Sequence, residues 1–118
     1  MSQHQLNTIR LADEALGMLL AELDARNLRE ETLIIVTSDH GGYGGGHGTD
    51  IREDMTIPWI ASGPGIQPRT LTTLIHTMDT AATAAFALGL PIPGEWDGVP
   101  VYEAFGQPVV RQSVQCES

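Results

Sequence analysis

The stretch TLIIVTSDHGG, residues 32–42, joins an unbroken apolar run to an acidic residue, a histidine and two glycines. The run at residues 32–37 is rich in β-branched side chains and lacks polar alternation, which is typical of a strand buried on both faces of a parallel sheet. Ligands of such sheets gather just beyond the carboxyl ends of the strands. The sequence therefore predicts a binding site at Asp39 and His40, directly after this strand.

A helical pattern precedes the strand. Between residues 6 and 26, apolar side chains recur at three- and four-residue steps with charged residues between them, which predicts an amphipathic helix whose apolar stripe packs in a core. Asn27 can end this helix in the left-handed conformation, with Leu28 turning back towards Leu23. A helix followed by a buried strand predicts an α/β fold with a largely parallel sheet.

The downstream elements are shorter and more often interrupted by glycine and proline. The pattern predicts a strand at 57–61, an extended piece at 71–75, a helix at 80–88 with Asp79 as its N-cap, and a helical turn at 102–105. Residues 109–118 are expected to form a flexible tail. Two or three strands are fewer than the usual number of about four to six. We therefore expect residues 1–118 to be a single domain that is the C-terminal half of a larger domain, or one that forms a homo-oligomer.

Composition limits the classes of partner. The chain has 118 residues, is 42% hydrophobic and carries a net charge of −9, so we expect a packed domain that binds neither nucleic-acid polymers nor anionic membranes. The single cysteine, Cys116, excludes an internal disulfide. The first ten residues lack the apolar core of a signal peptide, and no apolar run reaches membrane-spanning length. Localisation is left open.

The segment after the strand combines metal-binding residue types with unusual backbone freedom. Six of the eight residues from Gly41 to Gly48 are glycine, and His47 follows His40 by seven residues. An adjacent Asp39–His40 pair suits a divalent metal with nitrogen and oxygen ligands, Zn²⁺ first and Mn²⁺, Mg²⁺ or Ca²⁺ as alternatives. In the competing interpretation, Asp39 is a turn former, His40 is a satisfied loop histidine, and His47 caps the glycine loop by hydrogen-bonding a backbone carbonyl.

Three more residues are secondary candidates. Glu53 and Asp54 either hydrogen-bond a ligand histidine from outside the metal's own coordination sphere or form a solvated acidic pair. Tyr43, flanked by glycines, either contacts substrate or covers the loop.

Three blocks of the chain, at residues 11–42, 46–66 and 78–98, together resemble the metal-binding C-terminal half of the alkaline phosphatase superfamily. That superfamily includes phosphatases, phosphodiesterases, phosphosugar mutases and sulfatases. The resemblance implies a three-layer α/β/α fold with a largely parallel sheet. It also implies that Asp39 and His40 bind one ion of a two-metal centre and that His47 binds the other. The family's nucleophile lies in the N-terminal half, so no catalytic nucleophile is identified in this chain.

The substrate implied by the resemblance is a phosphate or sulfate ester. Many sulfatases carry Asp-Asn where this chain has Asp39-His40, which favours a metal-dependent phosphoester hydrolase of the phosphatase or phosphodiesterase type. Two alternatives remain: a fragment of a sulfatase-like hydrolase, and a non-catalytic metal-binding or interaction module that needs a partner chain.

Overall fold

A computed structural model describes residues 2–108, and the tail predicted at 109–118 lies outside the described residues. The chain divides into two compact units, Met1–Thr32 and Leu33–Ser118. The first unit is helical. Helix α1 (Gln3–Ala25) begins after Ser2, whose hydroxyl accepts a hydrogen bond from the Gln5 amide at 3.2 Å. A 3₁₀ turn (Arg29–Glu31) follows it.

The C-terminal end of α1 confirms the sequence prediction. Asn27 adopts a left-handed conformation with φ of 56°, and the Leu28 amide donates to the Leu23 carbonyl at 2.9 Å. The predicted burial of the apolar stripe is wrong for the described residues, because no residue of α1 is buried. Its exposed apolar side chains are Leu6, Ile9, Leu11, Met18 and Leu19. The stripe has the periodicity of a packed face, but burial also requires a covering surface, which the first unit by itself does not supply.

The second unit contains a two-stranded sheet. Strand β1 (Ile34–Thr37) pairs with β2 (Trp59–Ser62) in antiparallel register, with Ile34 opposite Ser62 and Thr37 opposite Trp59. The two predicted strands are confirmed, but their pairing is antiparallel and the largely parallel sheet is not seen in residues 2–108. A parallel pair needs a crossover that carries the chain back to its starting edge. Here a glycine-rich loop and the one-turn helix α2 (Arg52–Met55) return the chain directly alongside β1.

The core of the second unit forms around helix α3 (Asp79–Ala87) and a 3₁₀ turn at Tyr102–Phe105. The Phe86 ring packs edge-to-face against those of Tyr102 and Phe105, with both centroid distances at 5.1 Å. The buried apolar residues among those described are Ala82, Val101 and Ala104. Within residues 2–108, none of the helices has the length and apolarity needed to cross a membrane.

Carboxylates decide the local structure at two of the predicted elements, and the prediction for Asp79 is wrong. Asp79 is not the N-cap of α3 but its first residue, and its buried carboxylate accepts the amides of His76 at 2.8 Å and Val99 at 2.9 Å. Residues 71–75 form no strand. The amides of Thr72 and Thr73 bond the Glu103 carboxylate instead of a neighbouring strand.

Candidate metal centre

The loop after β1 is held against α2 by backbone hydrogen bonds. The amide of Gly41 donates to the Asp54 carbonyl at 2.8 Å, and that of Gly42 donates to the Glu53 carbonyl at 2.9 Å. A Cβ atom at Gly41 would collide with the Glu53 carbonyl oxygen, so only glycine permits this close approach. The Asp39–His40 pair is thereby fixed beside α2.

The ring of His40 has a defined orientation. Its Nδ1 lies 2.6 Å from the Gly41 carbonyl oxygen, and because a carbonyl can only accept, Nδ1 carries the proton in the neutral ring and Nε2 then keeps its lone pair. This Nε2 lies 3.6 Å from Oδ2 of Asp39. The other oxygen of Asp39, Oδ1, accepts the His40 amide at 3.0 Å. One nitrogen and one oxygen thus face each other with their lone pairs available.

The Asp39 carboxylate is ionised well into the acid range. Backbone hydrogen bonding at Asp39 itself, then the charge of His40 and the His40 amide, lower the pKa of Asp39 below its ordinary value. Its side chain is 85% exposed, whereas that of His40 is 46% exposed. The pair is therefore open to an incoming ion or substrate.

His47 returns to His40, as the sequence predicted. The two imidazole rings stack with centroids 4.0 Å apart and planes inclined by 23°. A tight turn makes the return, since Tyr43 and Gly46 exchange amide–carbonyl hydrogen bonds of 3.2 Å. Tyr43 stands at this turn with 69% of its surface exposed, so its proposed contact with substrate stays a prediction.

Asp54 and Glu53, the two acidic candidates, differ sharply. Asp54 is buried, and its Oδ2 accepts both the amide of Thr49 at 2.9 Å and its hydroxyl at 2.8 Å. Its Oδ1 is also buried but accepts no hydrogen bond from the described residues. Those Thr49 hydrogen bonds first, then the charges of His47 and His40, lower the pKa of Asp54. The Glu53 side chain is exposed and contributes only its backbone carbonyl.

Thr49 is the residue that sequence reasoning missed. It lies two residues after His47, and its hydroxyl and amide both face a carboxylate five residues further along. The available signal was a threonine between a histidine and a one-turn helix, but nothing in the sequence indicated which acidic residue it would bond.

The Asp39–His40 pair has a donor set that fits a divalent metal. Bonds of about 2.0–2.2 Å to one tetrahedral ion separate neighbouring ligand atoms by about 3.3–3.6 Å, close to the spacing of the pair. The proton on Nδ1 of His40 is bonded to a carbonyl, as in most metal-ligating histidines. Within residues 2–108, however, no group of three or more histidine, cysteine or acidic side chains is arranged to hold an ion. The described residues offer part of a coordination sphere.

Comparison with known proteins now identifies the family. The sulfatase family model matches residues 2–90, about three quarters of the chain. The chain therefore belongs to the sulfatase family, and with it to the alkaline phosphatase superfamily, as the resemblance predicted. The family implies an α/β fold, and the described residues combine helices with a small sheet.

Similar proteins include sulfatases and one mutase. An ulvan-active sulfatase of Formosa agariphila is 30% identical over 108 residues, covering 81% of this chain and 21% of the relative. An extracellular sulfatase SULF-1 homolog of Drosophila melanogaster is 30% identical over 101 residues, covering 80% and 9%. A phosphopentomutase of Deinococcus radiodurans is 36% identical over 92 residues, covering 78% and 21%. No solved structure matches significantly.

These matches change the balance between the functional readings. The chain spans about a fifth of the length of the ulvan-active sulfatase, so it corresponds to one part of a sulfatase-like hydrolase domain. The sulfatase alternative is better supported than the phosphoester hydrolase that Asp39-His40 favoured, since the family model and two of these three relatives are sulfatases.

Proposed function

We propose that this chain is the metal-ligating segment of a sulfatase-family catalytic domain that hydrolyses sulfate esters with a divalent metal. The observation that carries the proposal is the Asp39–His40 pair, in which Oδ2 and Nε2 face each other at 3.6 Å while the Gly41 carbonyl fixes the ring. Zn²⁺ is the preferred ion because an imidazole and a carboxylate suit it, with Mn²⁺, Mg²⁺ and Ca²⁺ as alternatives.

His47 would bind a second ion rather than complete the coordination sphere of the ion bound by Asp39 and His40. The lone pairs of an imidazole lie in the ring plane, so two rings stacked at 4.0 Å do not direct their nitrogens at one point. That spacing equals the typical separation of about 4 Å between paired catalytic metals. The stacked arrangement is therefore suited to two neighbouring ions, one for each histidine.

Bound ions would stabilise the charges that develop on the attacking and leaving oxygens of the ester. The chain's own residues have two tasks in this scheme. Asp39 and His40 hold a positive centre in a molecule of net charge −9, which would otherwise repel an anionic ester. Tyr43, exposed on the same loop, would contact the organic part of the substrate.

The nucleophile and the remaining ligands would come from the rest of the catalytic domain, as would the parallel strands of a three-layer α/β/α fold. The isolated chain should therefore show negligible turnover of aryl sulfates and aryl phosphates, because covalent catalysis needs a positioned nucleophile.

Calorimetric titration of the 118-residue chain with Zn²⁺ tests the metal site. We expect Asp39→Ala and His40→Ala each to weaken Zn²⁺ binding about tenfold or more. Asp50→Ala is the matched control, since Asp50 is an exposed carboxylate of the same loop without a hydrogen bond in the described residues. Equal Zn²⁺ binding by the wild type and all three variants would overturn the assignment.

A phosphoester hydrolase is the second candidate, supported by the similarity to a phosphopentomutase. The two functions are separated by joining the chain to a nucleophile-bearing N-terminal part of a sulfatase-family domain and comparing turnover of an aryl sulfate with that of the matching aryl phosphate. Faster sulfate turnover supports the main proposal, and faster phosphate turnover supports the second candidate.

A further inference from the structure

A buried carboxylate oxygen beside the two histidines has no hydrogen-bond partner. Asp54 is only 5% exposed, yet its Oδ1 accepts no hydrogen bond from the described residues. Leaving such an atom unpaired costs free energy, because its hydration is lost without replacement. Its position at the candidate metal centre points to a partner that is engaged during function.

The rest of Asp54 is firmly placed and joins both histidine-bearing segments. Its carbonyl accepts the amide of Gly41, which follows His40. Its Oδ2 accepts the amide and hydroxyl of Thr49, two residues after His47. Asp54 therefore fixes the backbone near both stacked rings. Its Oδ1 is the acceptor that remains without a donor among the described residues.

The two histidine rings differ in whether they already have a hydrogen-bond partner. Nδ1 of His40 already bonds the Gly41 carbonyl, so its proton has a partner. The His47 ring stacks on His40 but makes no hydrogen bond within residues 2–108. An imidazole that binds a metal through one nitrogen carries a proton on the other, and that proton is usually held by a carboxylate or carbonyl.

We propose that Asp54 is the positioning residue for His47: Oδ2 stays on Thr49, Oδ1 accepts the ring N–H of His47, and the opposite nitrogen is presented to the metal. The Glu53 side chain is exposed and is excluded from this role. The assignment rests on the proposed metal site, but the proposed hydrogen bond does not require bound metal and can be tested without it.

Nitrogen NMR of the histidine rings in the full chain, at a pH where both imidazoles are neutral, tests the hydrogen bond directly. We expect the wild type to hold His47 in one tautomer and Asp54→Asn to release it to a mixture, while His40 keeps its Nδ1–H form in both proteins. Glu53→Gln is the matched control and should leave both rings unchanged. A His47 ring unaffected by Asp54→Asn in a folded chain would overturn the proposal.

Zn²⁺ titration is the second readout. Asp54→Asn should weaken Zn²⁺ binding about 10- to 100-fold, the usual effect of removing a residue that orients a metal ligand, and Glu53→Gln should not. If the wild-type chain binds no Zn²⁺, the proposed function fails while the tautomer experiment still decides the role of Asp54.

A third variant covers the case in which Asp54→Asn does not fold. Thr49→Val removes one of the hydrogen bonds that hold Oδ2 of Asp54 but keeps the carboxylate. The His47 ring should therefore shift part of the way from a single tautomer towards a mixture. An unchanged His47 ring in Thr49→Val, together with an unfolded Asp54→Asn, would assign Asp54 a purely structural role and overturn the proposal.

Discussion

Carboxylates organise two loop regions of the second unit in opposite ways. In the region around α3, Glu103 accepts the amides and hydroxyls of Thr72 and Thr73 at 2.6–3.1 Å, and Asp79 ties together two loop amides. In the loop after β1, Asp39 projects into solvent and Asp54 keeps one buried oxygen unpaired.

The difference separates structural carboxylates from those with a proposed role at the candidate metal centre, Asp39 as a ligand and Asp54 as a positioning residue. An acceptor whose capacity is filled by backbone amides stabilises a loop and has little left for an ion. An acceptor held by one oxygen and open at the other keeps its position and can still bind. Saturation of the acceptor, rather than its residue type, therefore distinguishes the acidic residues proposed for the candidate metal centre.

The largest effect is expected from Asp79→Ala. The variant leaves the amides of His76 and Val99 without their acceptor in a buried place, which should lower the free energy of unfolding by about 2–4 kcal/mol. Urea denaturation followed by circular dichroism measures the loss. Asp97→Ala, at an exposed carboxylate of the same region, is the control. Equal denaturation midpoints for the two variants would show that the Asp79 carboxylate does not stabilise the fold.

A smaller effect on stability, but a direct one on the site, is expected from Gly41→Ala. The added methyl group would collide with the Glu53 carbonyl and push the loop off α2, at a cost of about 1–3 kcal/mol. Zn²⁺ affinity should fall about tenfold or more, because the Asp39–His40 pair is displaced. Gly45→Ala meets no atom within 4 Å and should change neither quantity. If both variants bind Zn²⁺ like the wild type, the docking of the loop on α2 does not position the pair.

The smallest effect is a pH dependence of stability from Glu103. Hydrogen bonds from the Thr73 hydroxyl and amide and from Thr72 lower the pKa of Glu103 from 4.5 to about 2. The stabilisation is therefore fully present above pH 4.5 and is lost as the pH falls from there towards 2. In Glu103→Gln the melting temperature should depend less on pH in this window than in the wild type. Glu95→Gln, at an exposed carboxylate, is the control and should keep the wild-type pH dependence. Identical pH profiles of stability for wild type and Glu103→Gln would show that the hydrogen bonds from Thr72 and Thr73 do not stabilise the ionised carboxylate.

The sequence by itself determined the local elements. Periodicity predicted α1, and the left-handed preference of asparagine predicted its end at Asn27. The β-branched run predicted the strand observed at Ile34–Thr37, and Pro58 marked the start of β2. The motif blocks predicted the family. The resemblance assigned Asp39, His40 and His47 to one centre, and the stacking of the two histidine rings agrees with their proximity, while their role as ligands stays a prediction. Each of these features depends on interactions within a few residues or on a short motif, so the linear pattern carries it.

Only the tertiary structure decided which groups became partners. The antiparallel pairing of β1 with β2 and the bond from the Val99 amide to Asp79 both join positions that are far apart in the chain, and their approach depends on the path of the loops. Asp79 and Asp54 look alike in sequence, as acidic residues at short helices. Their roles differ because the folded chain brings the Val99 amide, 20 residues away in sequence, to the second oxygen of Asp79, whereas no described residue donates to the second oxygen of Asp54.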